Sequence, residues 1–221
     1  MGYIGDYFGS YLSGTGVTIL ISLLALVAGF ILGLVICIAK ISNSKVLKVI
    51  SGVYIEIVRG TPLLVQIMII AYALPQVGVQ FPSILGMGTE FTGGLVALTL
   101  NSAAYIAEIM RSGIQSINKG QMEASRSLGF NYWQAMRFII VPQAVKNILP
   151  ALGNEFVTLV KESAIVSFVG IADIMFVANT VKNSTYKAFG PYLFAALIYF
   201  IITFTLSKAI ALLEKKMTVD K

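Results

Sequence analysis

The residues best equipped for chemistry in this chain are charges stranded in apolar sequence. Glu155, Lys161 and Glu162 interrupt a largely apolar run, and Arg59 follows Tyr54-Ile55-Glu56-Ile57-Val58. Glu155 and Glu162 are seven apart, which on a helix sets them on almost one face, with Lys161 pointing elsewhere. Asn154 and Ser163 add hydrogen-bonding capacity beside them. A charge at bilayer depth costs about 2.5–3.5 kcal/mol on insertion scales, so it faces a protein interior or a wet cavity. Two compatible readings stand. One is an interhelix network, with Glu155 against Arg59 and Lys161 against a carboxylate; the other is the lining of a path for a polar solute.

Arg59 runs directly into Gly60-Thr61-Pro62-Leu63-Leu64-Val65-Gln66. Pro62 lacks an N–H and frees the carbonyl of Val58, while Gly60 lets another backbone approach. An interrupted helix at membrane depth is tolerated where it lines a cavity, and unwound backbone there commonly coordinates solute. Glu56 and Arg59, three apart, are also spaced for a local ion pair, as are Glu108 and Arg111. The sequence holds no histidine, no GxxxxGK[ST] phosphate loop, no metal-ligand cluster and no nucleophile elbow. Histidine or zinc catalysis is excluded, and so is ATP hydrolysis by this chain alone. No cofactor or metal of its own is expected.

The elements that must position these groups are membrane helices. Of 221 residues, 57% are hydrophobic and only 12% charged, with a mean hydropathy of +0.85. A soluble domain carries roughly 25% charged residues. Charge-free runs occupy residues 7–39, 60–89, 91–107 and 188–207. A bilayer core about 30 Å thick needs roughly 20 apolar residues per helix, each satisfying its own backbone. Five spans are predicted, at about 15–39, 52–75, 91–112, 147–170 and 190–212, within one all-α polytopic domain covering 1–221.

Orientation follows from lysine and arginine. One set of loops carries Lys40, Lys45, Lys48, Arg111, Lys119, Arg126, Arg137, Lys146, Lys208, Lys215, Lys216 and Lys221; the other carries only Lys182 and Lys187. This predicts an outer N-terminus, a cytoplasmic C-terminus and a cytoplasmic segment over about 113–146. The first apolar run has Asp6 before it and Lys40 after it, the reverse of a secretory signal. Cys37 lies within that run and reads as packing. The net charge of +6 reflects the same positive-inside bias, so no nucleic-acid partner is expected.

The predicted cytoplasmic segment holds Glu123-Ala124-Ser125, then Gly129, Ile139 and Pro142. This spacing resembles the EAA loop of permease subunits of ATP-binding-cassette importers, with Ser125 for the second alanine and Val141 for the leucine before the proline. The strings Arg59-Gly60-Thr61-Pro62-Leu63-Leu64-Val65-Gln66 and Ala104 to Glu123 are similar to the polar amino-acid branch of that family. The likeness covers about residues 15–212.

The resemblance implies a type I importer permease fold that works as half of a dimer, with a second copy or a close relative. It implies cytoplasmic ATP-binding subunits, which hold the ATP, and an extracytoplasmic amino-acid-binding protein. Glu123, Ala124, Ser125 and Gly129 would form the ATPase-coupling helix and its turn. A free amino acid is a zwitterion. Arg59 and the backbone near Gly60 and Thr61 suit its carboxylate; Glu155 or Glu162 suits its ammonium or a cationic side chain. Gln66 and Ser163 suit a polar side chain, and the acidic face leans toward basic or glutamine-like amino acids. Tyr132 and Trp133 read as anchors of the coupling loop, at the membrane surface in contact with lipid or in the ATPase groove, the first being favoured, and the outer segments 1–14, 75–90 and 171–189 as the contact for the binding protein. The alternatives are a self-sufficient ion-coupled secondary carrier, with Glu155, Lys161 and Glu162 as a relay, and a non-transporting membrane scaffold.

Overall fold

A computed structural model of the protein describes residues 3–218. Met1 and Lys221, which enter the predicted termini, lie outside that range. A short α1 (Tyr3–Asp6) leads into α2 (Phe8–Ile41), α3 (Lys45–Gly60) and α4 (Leu63–Gln76). There follow α5 (Thr89–Gln115), α6 (Lys119–Ser127), α7 (Tyr132–Val169), α8 (Ile174–Thr185) and α9 (Phe189–Thr218). Among the described residues three helices are long and apolar enough to cross a membrane: α2, α5 and α9. The number rises to five if the bent pairs α3–α4 and α7–α8 each count as one span. The chain is therefore an all-helical membrane protein.

The 34 residues of α2 reach roughly 50 Å at 1.5 Å per residue. Its inward stripe is small: Gly14, Thr18, Ser22, Ala25, Gly29 and Gly33 are buried. A Cβ on Gly33 would lie 2.9 Å from the Ala103 carbonyl oxygen, so α2 and α5 meet almost backbone to backbone. Close approach of this kind is how helices associate where lipid competes with every apolar contact. Outward-facing Phe30, Ile31, Val35 and Ile38 are exposed, as a lipid-facing surface would be.

The segment expected to span at 52–75 is not one helix. Its halves, α3 and α4, meet at 108°. Proline disfavours helical backbone in the residue before it, and Thr61 is extended at φ −115°, ψ 144°. The fourth predicted span starts earlier than 147. α7 begins at an Asn131–Gln134 capping box, widens into a π turn at Met136–Ile140 and tightens to a 3-10 helix over Ser163–Val169. The wide turn lies just before Pro142, which cannot donate to the ladder. Gln143 Nε2 serves the exposed carbonyl of Ile139 at 2.8 Å.

The stretch 171–189, expected from sequence to be an outer segment, contains α8. Asp173 caps it, accepting from Phe176 N at 2.8 Å and from Tyr199 Oη at 3.1 Å, and is fully buried. Ile174 N donates to Thr18 Oγ1 at 3.3 Å. This joint ties α2, α8 and α9 together. Two larger apolar clusters fill the rest of the interior, one around Ile67, Leu98, Leu159 and Val166, the other around Ile55, Ile106, Met110 and Ile148. Both are built on α5.

Candidate functional site

The α3–α4 break is held by side chains that reach across it. Pro62 leaves the Val58 carbonyl without its helical donor, and Gln66 Nε2 donates to that oxygen at 2.7 Å. The same nitrogen lies 3.0 Å from Thr61 O and 2.9 Å from Thr61 Oγ1. Gln66 Oε1 in turn accepts from Asn101 Nδ2 on α5 at 3.0 Å. Tyr54 Oη donates to the Leu100 carbonyl at 2.6 Å, so α3 and α4 are both pinned to one turn of α5. Gly60 and Thr61 are exposed beside this joint.

Arg59 takes neither partner proposed for it. It pairs with neither Glu56 nor Glu155; its guanidinium lies over the Tyr105 ring, 5.2 Å from the centroid. A planar, weakly hydrated guanidinium suits an aromatic face, and α5 supplies one where α3 crosses it. Glu108 and Arg111 do form the pair that their spacing allows, with Arg111 Nε donating to Glu108 Oε2 at 2.9 Å.

Glu155 is buried on α7 and accepts from Ser102 Oγ at 3.0 Å. Glu162 is half-buried and ends the regular part of α7; Lys161 is exposed. Ser163 is fully buried at the start of the 3-10 turn, with its hydroxyl donated to Val160 O at 2.9 Å. Two consecutive α5 residues thus hold the two polar centres: Asn101 the break, Ser102 the carboxylate. Neither was singled out from sequence. The available signal was an adjacent amide and hydroxyl in the charge-free run 91–107.

At the other polar segment, Asn118 caps α6 by accepting from Gly120 N at 2.8 Å. Glu123 and Ala124 are exposed, whereas Ser125 is buried and donates to Gln121 O at 2.6 Å. Gly129 closes the helix at φ +91°. Gly129 N donates to Arg126 O and Phe130 N to Ser125 O, both at 3.1 Å. This is the paired bonding of a glycine-ended helix. Leu128 (82% exposed) and Trp133 (77%) project beside it.

This short helix, capped at both ends, lies between long apolar helices, and the chain that carries it matches a known family. Residues 25–219 match the model of the binding-protein-dependent transport system inner membrane component. The chain belongs to this family. Its relatives include the probable glutamine ABC transporter permease protein GlnM of Bacillus subtilis (strain 168), 42% identical over 96% of this chain and 95% of that one. The arginine transport system permease protein ArtQ of the same organism is 41% identical, over 93% and 91% respectively. Among solved structures, an amino acid ABC transporter crystallised with histidines is 46% identical with a TM-score of 0.90, covering 97% of each chain. The inward-facing MetNI methionine ABC transporter, at 19% identity and TM-score 0.79 over 96% of this chain, shares the fold. The chain is thus a multi-pass membrane component of a transport system.

Proposed function

We propose that this chain is the permease subunit of an ATP-driven importer of polar amino acids, basic or glutamine-like. The observation that carries the reading is α6, exposed at Glu123 and Ala124 and closed by Gly129. A nine-residue helix is too short to be stable alone in water, so its caps and the packing of its faces must hold it, and its exposed face is free for a partner. That partner is a cytoplasmic ATP-binding subunit, which binds the ATP and is coupled through Glu123, Ala124, Ser125 and Gly129. An extracytoplasmic binding protein delivers the amino acid, and a second permease copy or close relative completes the path. The positive-inside bias supports an outer N-terminus and a cytoplasmic C-terminus.

Glu155 and, farther along α7, Glu162 meet the ammonium or a cationic side chain, while Arg59 and the Gly60–Thr61 backbone meet the carboxylate. The decisive experiment copurifies the complex and measures uptake of labelled glutamine and arginine into proteoliposomes. Uptake that requires ATP and the ATP-binding subunit is expected. Uptake driven by an ion gradient with the chain alone would replace the importer with a secondary carrier.

A further inference from the structure

Each polar atom of the Gln66 carboxamide is engaged, and the set of partners has a chemical shape. Three oxygens converge on Nε2: Val58 O at 2.7 Å, Thr61 O at 3.0 Å and Thr61 Oγ1 at 2.9 Å. An NH2 group has two hydrogens, so it is oversubscribed. Thr61 Oγ1 gives its own hydrogen to Ile57 O at 2.9 Å and therefore faces Nε2 as an acceptor. On the opposite side one donor, Asn101 Nδ2, meets Oε1 at 3.0 Å. Acceptors on one side and a donor on the other are the complement of a primary carboxamide. A carboxylate would set an oxygen against three acceptors.

We propose that the α3–α4 break is a subsite for a primary carboxamide, filled by Gln66 until a glutamine-like substrate exchanges its own side-chain amide for it. This rests on the amino-acid import reading and narrows the substrate class. The site is reachable. Thr61 is exposed, Val58 and Gln66 are half-buried, and Asn101 forms the buried floor. Nothing lies within 4 Å of a Cβ built on Gly60, so there is open space beside the break.

Exchange of one carboxamide for another keeps the number of hydrogen bonds constant. Exchange leaves the half-buried Val58 carbonyl paired in both directions. Such a site discriminates without trapping, which a transport path needs. The neighbouring α5 residue, Ser102, holds Glu155. One turn of α5 therefore floors the amide subsite through Asn101 and holds, through Ser102, the α7 carboxylate that would meet the ammonium.

The test uses the assembled permease–ATPase complex and propionamide, a primary amide without ammonium or carboxylate, against propionate of the same size. Thermal unfolding of Gln66→Ala is expected to shift upward with propionamide and not with propionate. Wild type, whose subsite is filled, should shift less, and Gln66→Ala with Asn101→Ala should lose the preference. Equal shifts from both compounds in Gln66→Ala overturn the proposal. Gln66→Met, close in size and unable to bond the carbonyls, gives an independent measure in uptake. Glutamine should gain over arginine by roughly three- to tenfold relative to wild type, the scale of one hydrogen bond; an equal loss for both amino acids overturns the subsite. The thermal shift needs no transport, so its failure is separable from a failure of ATP-dependent uptake in the wild type.

Discussion

Replacing Gly129 tests whether the closed end of α6 transmits the ATPase stroke, and the structure sets the scale. A Cβ built at Gly129 meets nothing within 4 Å, so a side chain there causes no clash. The cost is all backbone. At φ +91° an L-residue sits in the left-handed region at about 1–2 kcal/mol, with Asn and Asp the best tolerated. Aspartate also sets a negative charge at a helix C-terminus, adding about 0.3–1 kcal/mol. A nine-residue helix has little stability of its own to absorb this. One to two kcal/mol changes a two-state ratio by about 5- to 30-fold. Gly129→Asn should therefore be mild, Gly129→Asp should cut uptake by roughly tenfold, and Gly129→Val should be at least as severe. Uptake and ATP hydrolysis are measured in the same proteoliposomes. The complexes should assemble and hydrolyse ATP while transporting fewer amino acids per ATP. Normal uptake by Gly129→Val with its ATPase bound would refute the coupling role of this turn.

Three further outcomes are expected. Gly33→Val should lower the unfolding midpoint of the complex, since its Cβ would stand 2.9 Å from both Ala103 O and Ile106 Cγ2 and overpacking costs about 1–3 kcal/mol. Gly16→Val, whose Cβ meets nothing within 4 Å, should leave the midpoint unchanged. In a Cys37→Ala background, single cysteines at Ser83 and Ser184 should react with an impermeant thiol reagent from outside and one at Ser127 should not; outside labelling at Ser127 would reverse the orientation. Glu155→Gln keeps an acceptor for Ser102 Oγ but loses the charge, so arginine uptake should fall about tenfold more than glutamine uptake; equal losses would leave Glu155 without a part in selectivity.

The apolar runs and the Pro62 interruption were legible because each follows from one-dimensional chemistry: a bilayer needs length without charge, and proline deletes a donor. The identity of the group that repairs the deletion was not legible. Gln66 reaches back eight residues to Val58, which only a sharp bend allows. Arg59 shows the same limit. Helical spacing offered Glu56, but α5 presents the Tyr105 ring where α3 crosses it. Hydropathy marks where a helix is greasy and not where it starts, so the Gly, Ser and Tyr residues at 9–14 hid the first turns of α2. The Gly14–Thr18–Ser22 and Gly29–Gly33 spacing was present in the sequence as a small-residue stripe. Neither that stripe nor Asn101 and Ser102 carries a charge, so nothing in the charge pattern marks them.

A polar path inside this fold must begin fully satisfied. Among the described residues no buried side-chain nitrogen or oxygen lacks a hydrogen-bond partner, as expected where an unpaired group costs several kcal/mol. A passing solute therefore finds no vacant partner among the buried side chains; there it must add charge or exchange a bond. At Glu155 the present partner is a neutral hydroxyl, Ser102 Oγ, so an arriving cation adds an ion pair. At the break the partner is an amide, so an arriving amide only exchanges. In the proposed path, cationic and carboxamide side chains would thus be met beside one turn of α5 by different physics. Binding of the first should weaken strongly with salt and with removal of the Glu155 charge; binding of the second, which meets Glu155 through its ammonium alone, should weaken less. A path built this way accommodates basic and glutamine-like amino acids without choosing between them by size.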